Sequence, residues 1–356
     1  MTEGKIDVLV VEDSALTRMF LVRLLESDPL IRVVSAVADG QAAIDYLHGS
    51  MPDVVLMDIH MRRQDGFETT RRIMETRPVP IVICSALASD TVFRALAAGA
   101  IACIEKPTGR EHSSFEVVAG NLLQTVKLMS EVKVVRRWPR SQTGSAPSPT
   151  VSSRGRVAKA SVKIIGIGAS TGGPPVLQTI LSGLQHDFPV PILVVQHIAR
   201  GFLSGMAEWL GQSTGLPVHI GSCGTLPMPG HVYLAPDDYH MGIDASGHII
   251  LAREPTESGL RPTVAFLFRS LAEVRGANAL GVLLTGMGKD GAAELKLMKD
   301  RGARTIAQDR ASSIVHGMPG QAIALGGATY VLPADQIAQA LVSSVGKSRI
   351  AKEEKS

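Results

Sequence analysis

Across the first 130 residues, short apolar runs alternate with amphipathic stretches. Ile6–Val11, Arg32–Val37, Val54–Met57, Ile81–Cys84 and Ile101–Ile104 are brief, rich in Val and Ile, and read as buried strands. Five strands with a helical pattern after each predict a parallel sheet covered on both faces. The pattern resumes at Val162–Gly168 and continues through Ile192–Val195, Leu280–Leu284 and Thr305–Ala307, with helical stretches between them. From about Pro217 to Arg253, short alternating segments broken by Gly and Pro predict an antiparallel excursion on a mostly α/β domain. Between the patterned regions lies a stretch rich in Ser, Pro and Arg, including Trp138-Pro139-Arg140 and Pro147-Ser148-Pro149, which reads as a solvated linker. The predicted organisation is a first unit over 1–130, a linker over 131–161, a second unit over 162–346 and a charged tail over 347–356.

The length of 356 residues agrees with two domains. A content of 45% hydrophobic and 19% charged residues is enough for packed cores, but with only 4% aromatics these must be filled by Val, Ile, Leu and Ala. Cys84, Cys103 and Cys223 form no CxxC pair, so disulfides and structural zinc are not expected, and all three read as small buried residues of a reducing compartment. No signal-peptide pattern or long apolar run is present in this sequence, so a cytoplasmic protein with no direct membrane insertion is expected.

The formal charge of +3 could point to a nucleic-acid partner, so its distribution matters. Residues 1–130 hold 13 basic and 17 acidic side chains, residues 131–163 hold 8 and 1, and residues 164–356 hold 15 and 15. The basic excess is confined to the linker, where Arg136, Arg137 and Arg140 could lean on the acidic first unit. A neutral second unit of this size argues against a basic DNA-reading module, and no nucleic-acid partner is expected.

Ligands of parallel sheets bind beyond the C-terminal ends of the strands. In the first unit those positions carry Glu12 and Asp13, Asp58, Ser85, and Lys106-Pro107. Each alone could be a cap or a surface charge, but together they are three carboxylates that would repel unless they hold a hard cation such as Mg²⁺, with a hydroxyl and a lysine to bind phosphoryl oxygens. The residues resemble a response-regulator receiver domain, a flavodoxin-like five-stranded fold. The resemblance implies Asp58 as phospho-acceptor from a histidine kinase, Glu12 and Asp13 as metal-site acids with Asp58, and Ser85 and Lys106 as phosphoryl contacts. Arg62 stands where that family usually has Pro, and Cys103 where many receivers carry an aromatic switch residue.

The second unit opens on a strand, a glycine turn and a helix: Gly166-Ile167-Gly168-Ala169-Ser170-Thr171-Gly172-Gly173. Thr171 stands where a dinucleotide-binding GxGxxG needs its third glycine, so that reading fails. Read as GxSxG, the same residues hold the Ser170 hydroxyl on a sharp strand-to-helix turn. His197 follows another buried strand, and Asp290 lies in a glycine-rich loop after a third. A nucleophile, its base and the acid that orients the base could therefore meet at one sheet edge, although a cap, a strand-end polar residue and a first-turn acid are the plainer readings of each alone. The order Ser, His, Asp is not that of the α/β-hydrolases.

The segments GIGASTGG, VVQHI, HVYLAPDDYH, RPTV, LLTGMGKDGA and GMPGQAI together resemble the chemotaxis protein-glutamate methylesterases, the CheB family, over about Val162 to Val345. The resemblance implies a doubly wound α/β esterase domain that hydrolyses glutamate γ-methyl esters on methyl-accepting chemoreceptors and deamidates receptor glutamines. Ser170, His197 and Asp290 would be its catalytic triad, with Thr171 and the Met287 amide as oxyanion or substrate contacts and no cofactor for the ester chemistry. A receiver in front implies control by phosphorylation, with the unphosphorylated receiver packed over the Ser170 site of a monomer. The alternative is a catalytically weak phosphate sink or scaffold. Ala199-Arg200-Gly201-Phe202, Ala265, His316 and Gly320 depart from the family pattern, but none belongs to the triad.

Overall fold

The computed structural model describes residues 4–61, 65–85, 89–107, 115–132, 161–198, 200–255 and 260–345. Arg62, most of the linker with its arginines, Ala199 and the charged tail lie outside them. In the first unit the order is β1 (Ile6–Val11), α1 (Ala15–Leu25), β2 (Ile31–Val37), α2 (Gly40–Gly49), β3 (Val54–Met57), α3 (Gly66–Thr76), β4 (Ile81–Ser85), α4 (Ser89–Ala98), β5 (Ala102–Glu105) and α5 (Phe115–Ser130). The strands form one parallel sheet, β2-β1-β3-β4-β5, as the alternation predicts. Helix starts are fixed locally: Ser14, Asp39 and Asp65 each accept a hydrogen bond from an amide of the first turn of α1, α2 and α3.

The second unit runs β6 (Ile164–Ala169), α6 (Gly173–Ser182), β7 (Ile192–Gln196), α7 (Leu203–Thr214), β8 (Val218–Ile220), β9 (Val232–Leu234), β10 (His240–Ile243), β11 (Ile249–Ala252), α8 (Val264–Val274), β12 (Ala279–Leu283), α9 (Ala292–Asp300), β13 (Arg304–Gln308), α10 (Met318–Ala324), β14 (Tyr330–Leu332) and α11 (Ala334–Val345). Seven strands form a sheet of order β14-β13-β12-β6-β7-β9-β8 in which each described pairing is parallel. The antiparallel excursion is real but smaller than the stretch 217–253. Only β10 and β11 pair antiparallel, whereas β8 and β9 extend the main sheet. Their three-residue length leaves too little alternation for the sequence pattern to distinguish the two cases.

Helix α8 packs closely on the sheet because the strand beneath it is glycine-rich. A Cβ on Gly168 would lie 2.3 Å from Val264 Cγ1, so a larger residue would lift the start of α8 away from β6. The cysteines divide by position. Cys84 is buried and its thiol is pushed up to about 12 by burial, Cys103 is partly buried, and Cys223 is exposed on a loop, which corrects the expectation that all three are buried.

The two units share a core. Val92, Phe93 and Leu96 of α4 belong to the same apolar cluster as the helices α6 and α7, and the Phe93 ring stacks on Trp209 with centroids 5.4 Å apart. On the other flank, Ile314 and Val315 pack against the first-unit cluster containing Leu122, Val126 and Met129 of α5. Phe93→Ala should remove about 3 kcal/mol of packing at this junction. The expected outcome is a larger radius of gyration in solution scattering; an unchanged value would mean that α4 does not hold the units together.

Candidate functional site

The register of the first sheet sets its acidic cluster. Val11 pairs with Met57, so Glu12 and Asp58 leave the sheet side by side, and Ser85 pairs with Glu105, which puts Lys106 one residue beyond. Glu12, Asp58 and Ser85 are buried. Lys106 Nζ lies 2.7 Å from Glu12 Oε2 and 3.0 Å from Asp58 Oδ2, while the other Asp58 oxygen accepts the Ile59 amide at 2.8 Å. Burial pushes the Glu12 carboxyl above its usual range and the Asp58 charge adds to this, against the lowering effect of Lys106. Burial alone would lower the Lys106 ammonium, but its two carboxylate partners hold it above its usual value.

Carboxylate oxygens of Glu12, Asp13 and Asp58 lie within 4.8 Å of one another. This hard-oxygen donor set, two-thirds of it buried, fits a divalent cation. The five residues singled out by position therefore lie at one end of the sheet, four of them within contact of one another.

In the second unit Ala169 pairs with Gln196, which makes Ser170 and His197 neighbours one step beyond the sheet, and the His197 amide donates to Ala169 O at 3.0 Å. On the other side of β6, Gly168 pairs with Leu283, and the Ser170 amide donates to Thr285 O at 3.0 Å. Ser170 and Thr171 are half-buried and Met287 is exposed. Among the described residues no hydrogen bond joins Ser170 to His197; contacts of this kind commonly tighten only around substrate.

His197 and Asp290 do meet. Nε2 of the imidazole lies 2.9 Å from Asp290 Oδ2, close in distance though off the ideal hydrogen-bond direction, and both side chains are about one-tenth exposed. At that separation and burial the electrostatic contact persists despite the angle. Asp290 has a second task that the sequence did not reveal: its two oxygens accept the Val264 and Ala265 amides at 2.7 and 3.0 Å, capping α8. Burial alone would raise the Asp290 carboxyl, but His197 and the two amides outweigh it and hold the group below the usual carboxylate range.

Around the serine turn, buried Thr285 acts as a hub. Its amide donates to Gln308 Oε1 at 2.8 Å, its hydroxyl reaches Thr171 O and Val315 O, and the Val315 amide returns a bond to the same hydroxyl. Gly286 continues the link, donating to Val315 O and accepting from the Gly317 and Met318 amides. The loop carrying Met287 is thus tied to both the Ser170 turn and the 313–317 segment. Sequence reasoning missed Thr285 and Gln308; the available signal was a polar residue just past one apolar strand and another at the end of the next strand. Gln124 of α5 reaches Met287 Sδ at 3.9 Å, so the first unit touches this loop directly. His316 lies half-buried beside it, with burial first and Arg310 second lowering its imidazole.

Comparison with known proteins agrees with both halves. The CheB methylesterase family profile matches residues 165–341, and the response regulator receiver domain profile matches residues 8–114. The protein-glutamate methylesterase/protein-glutamine glutaminase of Nitrosospira multiformis is 51% identical over 96% of this chain and 98% of its own length. Its counterpart numbered 4 in Geobacter metallireducens is also 51% identical, over 95% and 98%. The crystal structure of the Thermotoga maritima CheB methylesterase catalytic domain aligns with 52% of this chain and 99% of its own, at 40% identity and a TM-score of 0.50. Whole-length identity of this order, together with the two profile matches, means that the chain belongs to the protein-glutamate methylesterase/protein-glutamine glutaminase family, with a receiver domain preceding a CheB methylesterase domain.

Proposed function

We propose that this protein hydrolyses glutamate γ-methyl esters on chemoreceptors, and deamidates receptor glutamines, under control of phosphorylation at Asp58. The observation that carries the reading is the buried His197–Asp290 contact one strand from Ser170, in a chain whose relatives bear that activity in their names. Ser170 Oγ attacks the ester carbonyl. Because Nε2 of His197 faces Asp290, Nδ1 is the nitrogen left to take the serine proton. The developing oxyanion is received by amides of the Ser170–Thr171 turn and of Met287, a form of stabilisation worth about 3–4 kcal/mol per donor. His197 then returns the proton to departing methanol, or to ammonia from a glutamine, leaving an acyl-serine. Water, deprotonated by the same imidazole, releases glutamate and restores Ser170.

In the receiver, Asp58 takes the phosphoryl group from a histidine kinase. Mg²⁺ is the cation proposed for Glu12, Asp13 and Asp58, which would hold it so that it would supply positive charge against the phosphoryl group. Lys106 and the Ser85 hydroxyl bind the remaining oxygens. The contact of Gln124 with Met287 and the packing of Ile314 and Val315 on the receiver support a regulatory route from this domain to the oxyanion loop.

Methanol release from methylated receptors should fall at least about 10⁴-fold in Ser170→Ala. Release equal to that of the wild type would overturn Ser170 as the nucleophile, whereas a wild type that released no methanol would favour the scaffold alternative. A small-molecule phosphodonor with Mg²⁺ should raise release by roughly 5- to 150-fold, the usual range of coupling between two sites, and Asp58→Asn should abolish the response without lowering the basal rate. A response that survived in Asp58→Asn would place the phospho-acceptor elsewhere.

Asp290 also predicts a pH effect on stability. Its folded carboxyl is held below the ordinary 3.8, so its stabilisation is complete above that value and is lost as pH falls through the lowered one. The melting temperature of Asp290→Asn should lie below that of the wild type at neutral pH, with the gap closing progressively below 3.8. A gap independent of pH would show that the carboxylate charge is not what Asp290 contributes.

A further inference from the structure

Gln196, the last residue of β7, is 4% exposed and lies between the two residues proposed to react. Its Nε2 donates to Ser170 O at 2.8 Å and to His197 O at 2.7 Å, so both hydrogens of one amide are used on these two carbonyls. Its Oε1 is buried with no hydrogen-bond partner among the described residues. Turning the amide over would not help, because Oε1 would then face two carbonyl oxygens. The orphaned oxygen rests against Gly173, where a Cβ would come within 2.0 Å of it. A buried acceptor left unsatisfied is costly, so the amide is held in this orientation by what its nitrogen does.

We propose that Gln196 is a positioning residue for the ester reaction, clamping the backbones of Ser170 and His197 at the separation that proton transfer requires. The inference rests on the Ser170–His197 reading above and extends it. Ser170 sits on a turn and His197 begins a loop, and the inter-strand ladder ends at Ala169 and Gln196. The last backbone bond between these strands runs from the His197 amide to Ala169 O, and the Gln196 amide, bonded to both carbonyls, adds a further cross-link at the same level. A small relative displacement of nucleophile and base is sufficient to slow the reaction strongly while leaving substrate binding intact.

The test uses the full chain and methanol release from methylated receptor over about pH 5.5 to 8.5. Gln196→Met keeps the length of the side chain and removes both donors. Its kcat should fall roughly 10- to 100-fold with KM within about twofold. Gln196→Glu sets a carboxylate oxygen against the two carbonyls at high pH and regains one O–H donor when protonated. Its rate relative to the wild type should therefore climb by roughly tenfold between pH 8.5 and 5.5, a ratio that removes the pH dependence shared by both proteins. A residue with a merely structural role would lower the melting temperature and leave that ratio flat. Wild-type kcat in Gln196→Met, or a flat ratio in Gln196→Glu, overturns the proposal, and if Gln196→Met fails to fold the ratio alone decides. Undiminished release by Ser170→Ala would instead defeat the nucleophile assignment, so the two failures are distinguishable.

Discussion

The second unit depends on the parallel register of β6 with its two neighbours. Pairing of Ala169 with Gln196 and of Gly168 with Leu283 brings three strand ends to one level, and adjacent strands are only about 4.8 Å apart. A one-residue slip would turn every side chain to the opposite face, burying polar groups and exposing apolar ones, so the apolar layers on both sides of the sheet enforce the alignment. The close approach of α8 to Gly168 follows from the same sheet and brings the first amides of that helix to the Asp290 carboxylate. One side chain thereby both caps α8 and contacts the His197 imidazole.

A second layer of order is polar and buried. Thr285 and Gln308 join β12, β13, the serine turn and the segment before α10 through hydrogen bonds inside the protein. That segment also carries Ile314 and Val315, which pack on the receiver. The loop carrying Met287 is thus connected both to the Ser170 turn and to the receiver domain. Cys103 belongs to a parallel connection. Its thiol reaches the Val92 carbonyl at 3.7 Å, next to Phe93, so β5 contacts the inter-domain helix without a rotating aromatic.

Much of this was legible in the sequence because parallel sheets collect their functional residues at strand ends. Glu12, Asp58, Ser85 and Lys106 each follow a short apolar run, and so do Ser170 and His197. Position along the chain therefore announced position in space. The contacts that sequence reasoning missed have no local signature. Asp290 caps a helix that begins 26 residues earlier, Gln196 looks like an ordinary strand-end polar residue, and the stacking of Phe93 on Trp209 joins two units whose faces each look complete alone. The parallel pairing of β8 and β9 was hidden for a different reason, since three-residue strands are too short to show a period.

The ends of the seven-stranded sheet have one further consequence. Its two border strands, β8 and β14, are three residues each, although β14 exposes Tyr330 and Val331. Open backbone groups on a long border would invite another chain to add itself to the sheet, and short borders are a common defence. The chain thus keeps its longer, strongly apolar strands in the interior and offers too little ladder at either end to template growth.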